Sequence, residues 1–183
     1  GSYKLLSNKE TVPTMYLVTG GCGFIGSHLV DLLLEKGFQV RVLDDLSNGF
    51  KENLSDKAEF IYGSVTDEKI MRNALAGVNG VFHLAAMVSV PESIVHWHKS
   101  HNINCGGAVR LFELAKNTPI VLASTAAVYG DSLPLPHRET DLPKPLSPYA
   151  VDKLACELHA QVAWKINGTP SVSCRLFNVY GPR

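Results

Sequence analysis

The sequence predicts an α/β protein in which a doubly wound, mostly parallel sheet lies between two layers of helices. Short apolar runs, rich in Val, Ile and Leu, alternate along the chain with stretches of helical spacing. Such alternation is typical of parallel strands joined by right-handed helical crossovers. The runs are continuous rather than alternating, as expected of strands buried on both faces. The 183 residues have room for one such domain, which we place at residues 14–183, after a polar tail at residues 1–13.

Six strands and four helices follow from the local pattern. In the first helix, Ile25, Leu29 and Leu32 recur at intervals of three and four, as one helix face requires. Glycines and Thr-Pro dipeptides mark the helix ends. The proline-rich segment Asp131–Pro148 fits neither a helix nor a central strand, so we expect a surface loop beside the site. The predicted strands are Met15–Thr19, Gln39–Leu43, Glu59–Tyr62, Gly80–Leu84, Ile120–Ala123 and Val172–Leu176. The predicted helices are Ile25–Glu35, Glu68–Leu75, Ile103–Ala115 and Tyr149–Lys165.

Composition excludes several classes of function. Lys and Arg number 17 and Asp and Glu also number 17, so nothing in the charge favours binding to nucleic acid or to an anionic membrane. The longest apolar stretch, 81–90, is far shorter than the roughly 18–20 residues that span a membrane. The four cysteines form no CxxC pair, which argues against a disulfide framework or a zinc site. We therefore expect a cytoplasmic protein.

A metal role is not expected for the histidines His96, His98 and His101, because side chains two apart on a helix point away from each other. His83 closes a predicted buried strand, and we interpret it as a structural histidine.

A glycine-rich loop follows the first predicted strand, with Gly20, Gly23 and Gly26 in the spacing GxxGxxG. In that place the first glycine permits a tight turn, the second lets backbone approach a diphosphate, and the third lets helix pack on strand. The second strand is followed by Asp44, where the dinucleotide fingerprint has its ribose-binding acid. A carboxylate accepts from a 2′-hydroxyl and repels a 2′-phosphate, so Asp44 and Asp45 favour NAD over NADP. The pattern predicts a Rossmann fold.

Tyr149 and Lys153 stand four apart at the start of the last predicted helix, so they share a helix face. A free tyrosine, with a pKa of about 10, is protonated at neutral pH. A neighbouring ammonium and an oxidised nicotinamide would both lower that pKa. Upstream, an apolar strand is followed by Ser124 and Thr125 at the sheet edge where open α/β sheets bind ligands. These residues together predict a hydride-transfer site with Tyr149 as base on a substrate alcohol.

From about Thr14 to Arg183 the chain resembles the extended short-chain dehydrogenase/reductases, in particular the nucleotide-sugar epimerases. The motifs that carry the resemblance are TGGCGFIG at 19–26, LDDLSNG at 43–49, HLAA at 83–86, STAAVYG at 124–130, SPYAVDK at 147–153 and RLFNVYGP at 175–182.

The resemblance implies roles for these residues. Tyr149 would be the catalytic base, Lys153 would hold the nicotinamide ribose and lower the phenol's pKa, and Thr125 would bind the reacting sugar oxygen. Asp44 would hold the adenosine ribose, and Asn178 would meet the diphosphate of the substrate. The substrate would thus be bound by Thr125, Tyr149 and Asn178. The other residues expected to bind NAD are Gly20, Gly23, Phe24, Ile25, Gly26, Asp45, Asn48, Ser64, Val65, Leu84, Ala85, Ala86, Asn104 and Ser124, with Asn104 near the head of its helix.

Departures from the family pattern bear on the reaction. The dehydratases that the chain resembles have an acid pair after the strand-end threonine, where this chain has Ala126 and Ala127. Without a local acid for elimination, the resemblance favours epimerisation at C4 of a nucleotide-linked hexose, a UDP-hexose, through a 4-keto intermediate. Ser64 stands where the family often has an Asp near the adenine.

Other activities stay open at this point. The chain could be another NAD(P)-dependent nucleotide-sugar enzyme, such as a dehydratase, decarboxylase or reductase. It could also be an NAD-binding fragment that is inactive without a C-terminal region. The resemblance implies a homodimer formed through the helices Ile103–Ala115 and Tyr149–Lys165, and a C-terminal substrate domain that is absent from this chain.

Overall fold

The computed structural model describes residues 13–131 and 135–183. It contains one six-stranded sheet in the order β3-β2-β1-β4-β5-β6, in which every pair of neighbours is parallel. The order reverses between β1 and β4, which is the topological switch point where open α/β sheets bind ligands. The predicted fold class is confirmed. The strands are β1 (Met15–Thr19), β2 (Gln39–Asp44), β3 (Glu59–Tyr62), β4 (Gly80–His83), β5 (Ile120–Thr125) and β6 (Ser171–Leu176).

Six α-helices connect the strands. They are α1 (Phe24–Glu35), α2 (Glu68–Leu75), α3 (Val90–Val95), α4 (Trp97–His101), α5 (Gly107–Leu114) and α6 (Pro148–Asn167). A π-helical turn, Asn102–Gly106, joins α4 to α5, and 3₁₀ turns occupy Lys51–Asn53 and Ala126–Tyr129. The Ser147 hydroxyl caps α6 by accepting from the backbone N–H of Ala150, and Gly168 ends that helix in the left-handed conformation.

The two faces of the sheet carry separate apolar clusters. On one face, α2, α5 and α6 pack against strand residues such as Leu17, Leu43 and Leu122. On the other face, α1 packs through Val30 and Leu33 against the opposite side of β1 and β2. The sheet is therefore the middle of three layers, as predicted.

The largest difference from the sequence prediction is the helix expected at Ile103–Ala115. Helical backbone already begins at Val90, is interrupted at His96, and passes through the π turn before α5. Pro91 lies in the first turn of α3, where proline is tolerated. Asn104 consequently lies inside the π turn rather than near the head of a helix.

Smaller differences concern the element ends. Strand β5 runs two residues beyond its predicted end and includes both Ser124 and Thr125. Strand β4 ends at His83, one residue early, and Pro148 is the first residue of α6 rather than part of the preceding loop. The expected polar tail lies, except for Pro13, outside the described residues, as do residues 132–134 of the proline-rich loop.

Candidate active site

The predicted site residues follow the carboxyl ends of all six strands. The glycine loop follows β1, Asp44 ends β2, and Ser64 follows β3. The segment Leu84–Ala86 follows β4, and Thr125 ends β5. Asn178 follows β6. Tyr149 lies in the first turn of α6, the helix between β5 and β6. Because all the strands are parallel, these positions lie along one edge of the sheet.

Of the three glycines in the GxxGxxG spacing, two stand where a side chain would collide with protein and one where it would not. Gly20 has φ +72°, and a Cβ there would lie 2.7 Å from the backbone N of Ala85. A Cβ at Gly26 would collide with the Gly20 carbonyl oxygen. At Gly23 a Cβ would meet only that same oxygen, at 3.4 Å, which is ordinary contact. Packing within the described protein thus explains Gly20 and Gly26 but leaves open space at Gly23.

The open space at Gly23 lies in front of the N-terminus of α1. Gly23 is the N-cap of that helix and offers no side-chain hydrogen bond, and the first turn has no acidic residue. The N–H groups of the first turn, at Phe24, Ile25 and Gly26, are therefore available to an anion. We call the open space between Gly23 and these N–H groups the cradle. A Cβ at Gly23 would narrow it, and its position at a helix N-terminus fits the diphosphate of a dinucleotide.

Asp44 also shapes the glycine loop. One carboxylate oxygen accepts from the backbone N–H of Cys22 at 2.9 Å and the other from Leu46 at 2.8 Å, and the side chain is buried. Each oxygen keeps a further lone pair for a ribose hydroxyl. Asp45 and Asn48 are exposed, and Asp45 accepts from the N–H of Ser47 at 3.0 Å.

Gly49 was not singled out by sequence reasoning, yet it packs on the glycine loop. A Cβ at Gly49 would lie 2.7 Å from the carbonyl carbon of Cys22. Its place in the LDDLSNG motif was the available signal.

A buried pair joins the ends of β1 and β4. The Thr19 hydroxyl lies 2.8 Å from Nδ1 of His83 and accepts from the backbone N–H of Ala85 at 3.2 Å. Burial, and secondarily the positive charge of Lys153, lowers the pKa of His83 to about 3, so this histidine is neutral at neutral pH. The structure agrees with a structural role for His83. The structure also gives a role to Thr19, which holds the half-buried segment Leu84–Ala86 against the glycine loop.

Asn104 reaches the same segment from the π turn. Its Oδ1 accepts from the N–H of Met87 at 2.8 Å, and its Nδ2 donates to the carbonyl oxygen of Met87 at 3.1 Å. The side chain is only 1% exposed. Asn104 thus fixes the backbone just beyond Ala86, and a wider π-helical turn is a common feature of functional sites.

Thr125, Tyr149 and Lys153 come together between β5 and α6. The Lys153 ammonium is buried, donates to the carbonyl oxygen of Ala123 at 2.8 Å, and lies 5.9 Å from the centre of the Tyr149 ring. The Thr125 hydroxyl accepts from the N–H of Ala127 at 3.1 Å, and it lies close enough to the Tyr149 phenol to act on its pKa.

The pKa of Tyr149 depends first on burial. Burial, the largest effect, raises the pKa of the phenol, and the nearby Thr125 hydroxyl opposes that rise only in part. The Lys153 ammonium is bonded to Ala123, and burial lowers its own pKa. The expectation that Lys153 and a bound nicotinamide lower the pKa of Tyr149 stays a prediction.

The remaining predicted residues lie nearer the rim. Ser64 hydrogen-bonds Thr66 through its hydroxyl at 2.9 Å, and Val65 is buried against Gly107. Asn178 is exposed on the segment that follows β6. That segment returns over α1, where the Pro182 carbonyl oxygen lies 2.9 Å from Nε2 of His28.

Two of the three histidines considered for a metal lie beside carboxylates on different helices. His101 lies 2.7 Å from Asp152 on α6, and His96 lies 3.7 Å from Glu92. Within residues 13–131 and 135–183, no group of three or more His, Cys, Asp or Glu side chains could hold a metal ion.

The sequence model of the NAD dependent epimerase/dehydratase family matches residues 16–183. The chain belongs to this family. A putative UDP-glucose 4-epimerase from Methanocaldococcus jannaschii is 37% identical over 174 residues, which are 92% of this chain and 57% of that protein.

Solved structures of this epimerase/dehydratase family show the same fold. The UDP-glucose 4-epimerase of Thermotoga maritima, solved with UDP-glucose, has a TM-score of 0.89 and 38% identity over 93% of this chain and 57% of that one. The enzyme of Thermus thermophilus, solved with NAD, has a TM-score of 0.89 and 37% identity over the same shares. The chain thus spans a little over half the length of these relatives. In the part of the chain that the structure describes, no helix is long and apolar enough to cross a membrane.

Proposed function

We propose that this epimerase/dehydratase chain is the NAD-binding and proton-transferring part of a nucleotide-sugar 4-epimerase acting on a UDP-hexose. The observation that carries the proposal is the placement of Thr125, Tyr149 and Lys153 at the same sheet edge as the open cradle at Gly23. The names of the relatives, UDP-glucose 4-epimerases, support it.

The residues of the chain fit NAD in chemical type. The N–H groups at Phe24, Ile25 and Gly26 would bind the diphosphate, and Asp44 would accept from the adenosine ribose. Lys153 donates one of its three ammonium N–H groups to the carbonyl oxygen of Ala123, and the other two could donate to the nicotinamide ribose. The segment Leu84–Ala86 would line the cofactor together with Gly20 and Ser124. The adenosine end of NAD would lie among the remaining predicted residues, Asp45, Asn48, Ser64 and Val65.

When bound, NAD accepts a hydride from the sugar carbon and returns it. Tyr149 takes the proton from the C4 hydroxyl and gives it back, so it must reach the phenolate form. Burial works against that form, and the nearby Thr125 hydroxyl favours it. Thr125 also orients the reacting oxygen, and Asn178 would bind the substrate diphosphate. Exclusion of water and orientation are the protein's share of catalysis.

Epimerisation is favoured over dehydration by the turn that follows Thr125. A dehydratase needs a carboxyl group near the substrate to eliminate water, and the 3₁₀ turn Ala126–Tyr129 offers none. Oxidation and re-reduction at one carbon need only Thr125, Tyr149, Lys153 and NAD.

A homodimer is part of the proposal. Apolar side chains recur at helical spacing along one face of α6, with Leu158 54%, Val162 47% and Ile166 74% exposed. On α5, Val109 is exposed as well. A second copy of the chain would cover this face. The proposed ligand is a nucleotide-sugar, as the sequence predicts. We propose no nucleic-acid or membrane partner, and we place the protein in the cytoplasm.

The test is turnover of UDP-glucose, UDP-galactose and their N-acetyl analogues by the purified chain, with the Tyr149→Phe variant as control. We expect interconversion of a 4-epimer pair that the variant loses. Formation of a 4-keto-6-deoxy sugar would overturn the epimerase assignment in favour of a dehydratase. Bound nicotinamide nucleotide without turnover of any sugar would favour the alternative of an NAD-binding fragment.

A further inference from the structure

A third side chain shares the face of α6 that carries Tyr149 and Lys153. Glu157 follows Lys153 by four residues, as Lys153 follows Tyr149, so the three form one stripe toward the end of β5. Glu157 is buried, and the function proposed above gives it no role.

Glu157 binds the residue that precedes Thr125. The Ser124 hydroxyl donates to its carboxylate at 2.5 Å. Lys153 donates to Ala123 at 2.8 Å. Two consecutive residues of β5 are therefore tied to two consecutive turns of α6, immediately before the threonine that meets the Tyr149 phenol.

Glu157 is itself fixed by β6. Arg175 donates to the carboxylate twice, from Nε at 3.0 Å and from Nη2 at 2.8 Å, and it is paired with Ser124 in the β5–β6 register. Burial alone would raise the pKa of Glu157, but the hydrogen bonds from Arg175 and Ser124 outweigh it and lower the pKa. The glutamate is thus ionised and accepts hydrogen bonds at both oxygens, so the orientation of its carboxylate is fixed.

We propose that Glu157 is a positioning residue: through Ser124 it holds the Thr125 hydroxyl against the Tyr149 phenol. The inference rests on the proposed function, because it assumes that Thr125 and Tyr149 work together. The groups that act on the Tyr149 phenol are Thr125 from β5 and Cys156 from α6, and the Lys153 ammonium of α6 lies 5.9 Å from the centre of the ring.

The test measures the pKa of Tyr149 in the free chain by NMR with tyrosine labelled at Cζ. The chain has six tyrosines, and the Tyr149 signal is the one that the Tyr149→Phe variant lacks. In Glu157→Gln the amide oxygen can still accept from Ser124 and from Nε of Arg175, but the amide nitrogen cannot accept from Nη2. The side chain that holds Ser124 is then fixed less firmly by Arg175. We expect the pKa of Tyr149 to rise by about 0.5 to 1, the size of one lost hydrogen bond.

The sign of the change separates positioning from simple charge. Removing a negative charge and leaving Arg175 unpaired would lower the pKa of a neighbouring phenol. A rise therefore indicates a weakened contact of Thr125 rather than the change of charge. The rise in the pKa of Tyr149 should also be absent when Glu157→Gln is made in a Thr125→Val background, because the contact of the Thr125 hydroxyl with Tyr149 is already lost there.

Two further variants keep the proposal falsifiable. Ser124→Ala removes only the hydroxyl link and leaves the ion pair, so it should raise the pKa of Tyr149 even if Glu157→Gln fails to fold. Glu59→Gln removes the partner of Arg41, 3.0 Å away at the edge between β2 and β3, and should leave the pKa of Tyr149 unchanged. An unchanged or lowered pKa in Ser124→Ala would overturn the proposal. Failure of the unmodified chain to bind NAD would instead count against the proposed function alone.

Discussion

The glycine loop shows how a single residue position can separate folding from binding. Gly20 and Gly26 have no space for a side chain, whereas Gly23 has ordinary space and an extended backbone with φ −79°. Any residue could adopt that backbone. What a side chain at Gly23 would obstruct is the approach to the N–H groups of α1.

We predict that Gly23→Ala keeps its stability and loses NAD affinity by about tenfold or more, the effect of about 1.4 kcal/mol. The measurements are isothermal titration with NAD and chemical unfolding. Gly37→Ala is the matched control. Gly37 has φ +83° and no atom near its missing Cβ, so its alanine variant should lose about 1 kcal/mol of stability and keep its NAD affinity. Equal NAD affinities for Gly23→Ala and the parent chain would show that the cradle is not a phosphate site.

Sequence reasoning found the residues whose chemistry is visible in a motif. It pointed to Asp44, Tyr149 and Lys153 because a carboxylate, a phenol and an ammonium at those spacings suggest specific reactions. It missed Thr19 and Glu157, whose contacts cross from one strand or helix to another. The positions of such partners depend on packing, which a linear spacing does not contain.

At the scale of elements, the strands and the long helices were predictable and the segment before α5 was not. Apolar runs and glycine stops define the strands, most clearly β1, β2 and β4, where consecutive residues are buried and the pattern is strong. The residues of α3 and α4 are largely exposed, so they carry no such pattern. The π turn was equally unpredictable, because the bonds that its Asn104 makes go to Met87, 17 residues away along the chain.

The contact between α4 and α6 predicts a pH dependence of stability. His101 donates to the buried Asp152 carboxylate, and that hydrogen bond raises the pKa of the histidine. A histidine with a raised pKa in the folded state contributes stability that is complete below its unfolded pKa of about 6.5. The contribution is lost as the pH rises through the folded value.

We therefore expect His101→Ala to lower the melting temperature most near pH 5.5 and least near pH 9. Thermal unfolding monitored by circular dichroism across that range is the measurement. His98→Ala, an exposed histidine on the same helix, is the control and should show no such trend. A constant difference between His101→Ala and the parent chain at all pH values would mean that the pair with Asp152 does not stabilise the fold.

At the scale of the whole molecule, the exposed stripe on α6 predicts the oligomeric state. Leu158, Val162 and Ile166 present more apolar surface than a solvated helix normally carries, and α5 lies beside them. We expect the chain to sediment as a dimer at micromolar concentration. The Leu158→Glu variant should sediment as a monomer, because it would bury a charge in the interface.

Leu142→Glu is the control for the dimer prediction, since Leu142 is exposed on the loop before α6 and away from the stripe. It should sediment like the parent chain. A parent chain that is monomeric at all concentrations would refute the interface on α6.

The π turn has a consequence for how the chain tolerates changes of length. A π-helical turn closes hydrogen bonds one residue farther along than an α-helix does, so it holds one residue more than a regular helix would. Deleting one residue from Asn102–Gly106 would restore regular bonding, and because the turn accommodates the extra residue, α5 would keep its orientation. Leu111 and Phe112 would still face the core, and the loss would fall on the contacts of Asn104 with Met87. A one-residue deletion between Gly107 and Leu111 has no such compensation, and it would rotate Leu111 and Phe112 by about 100° out of their places in the core.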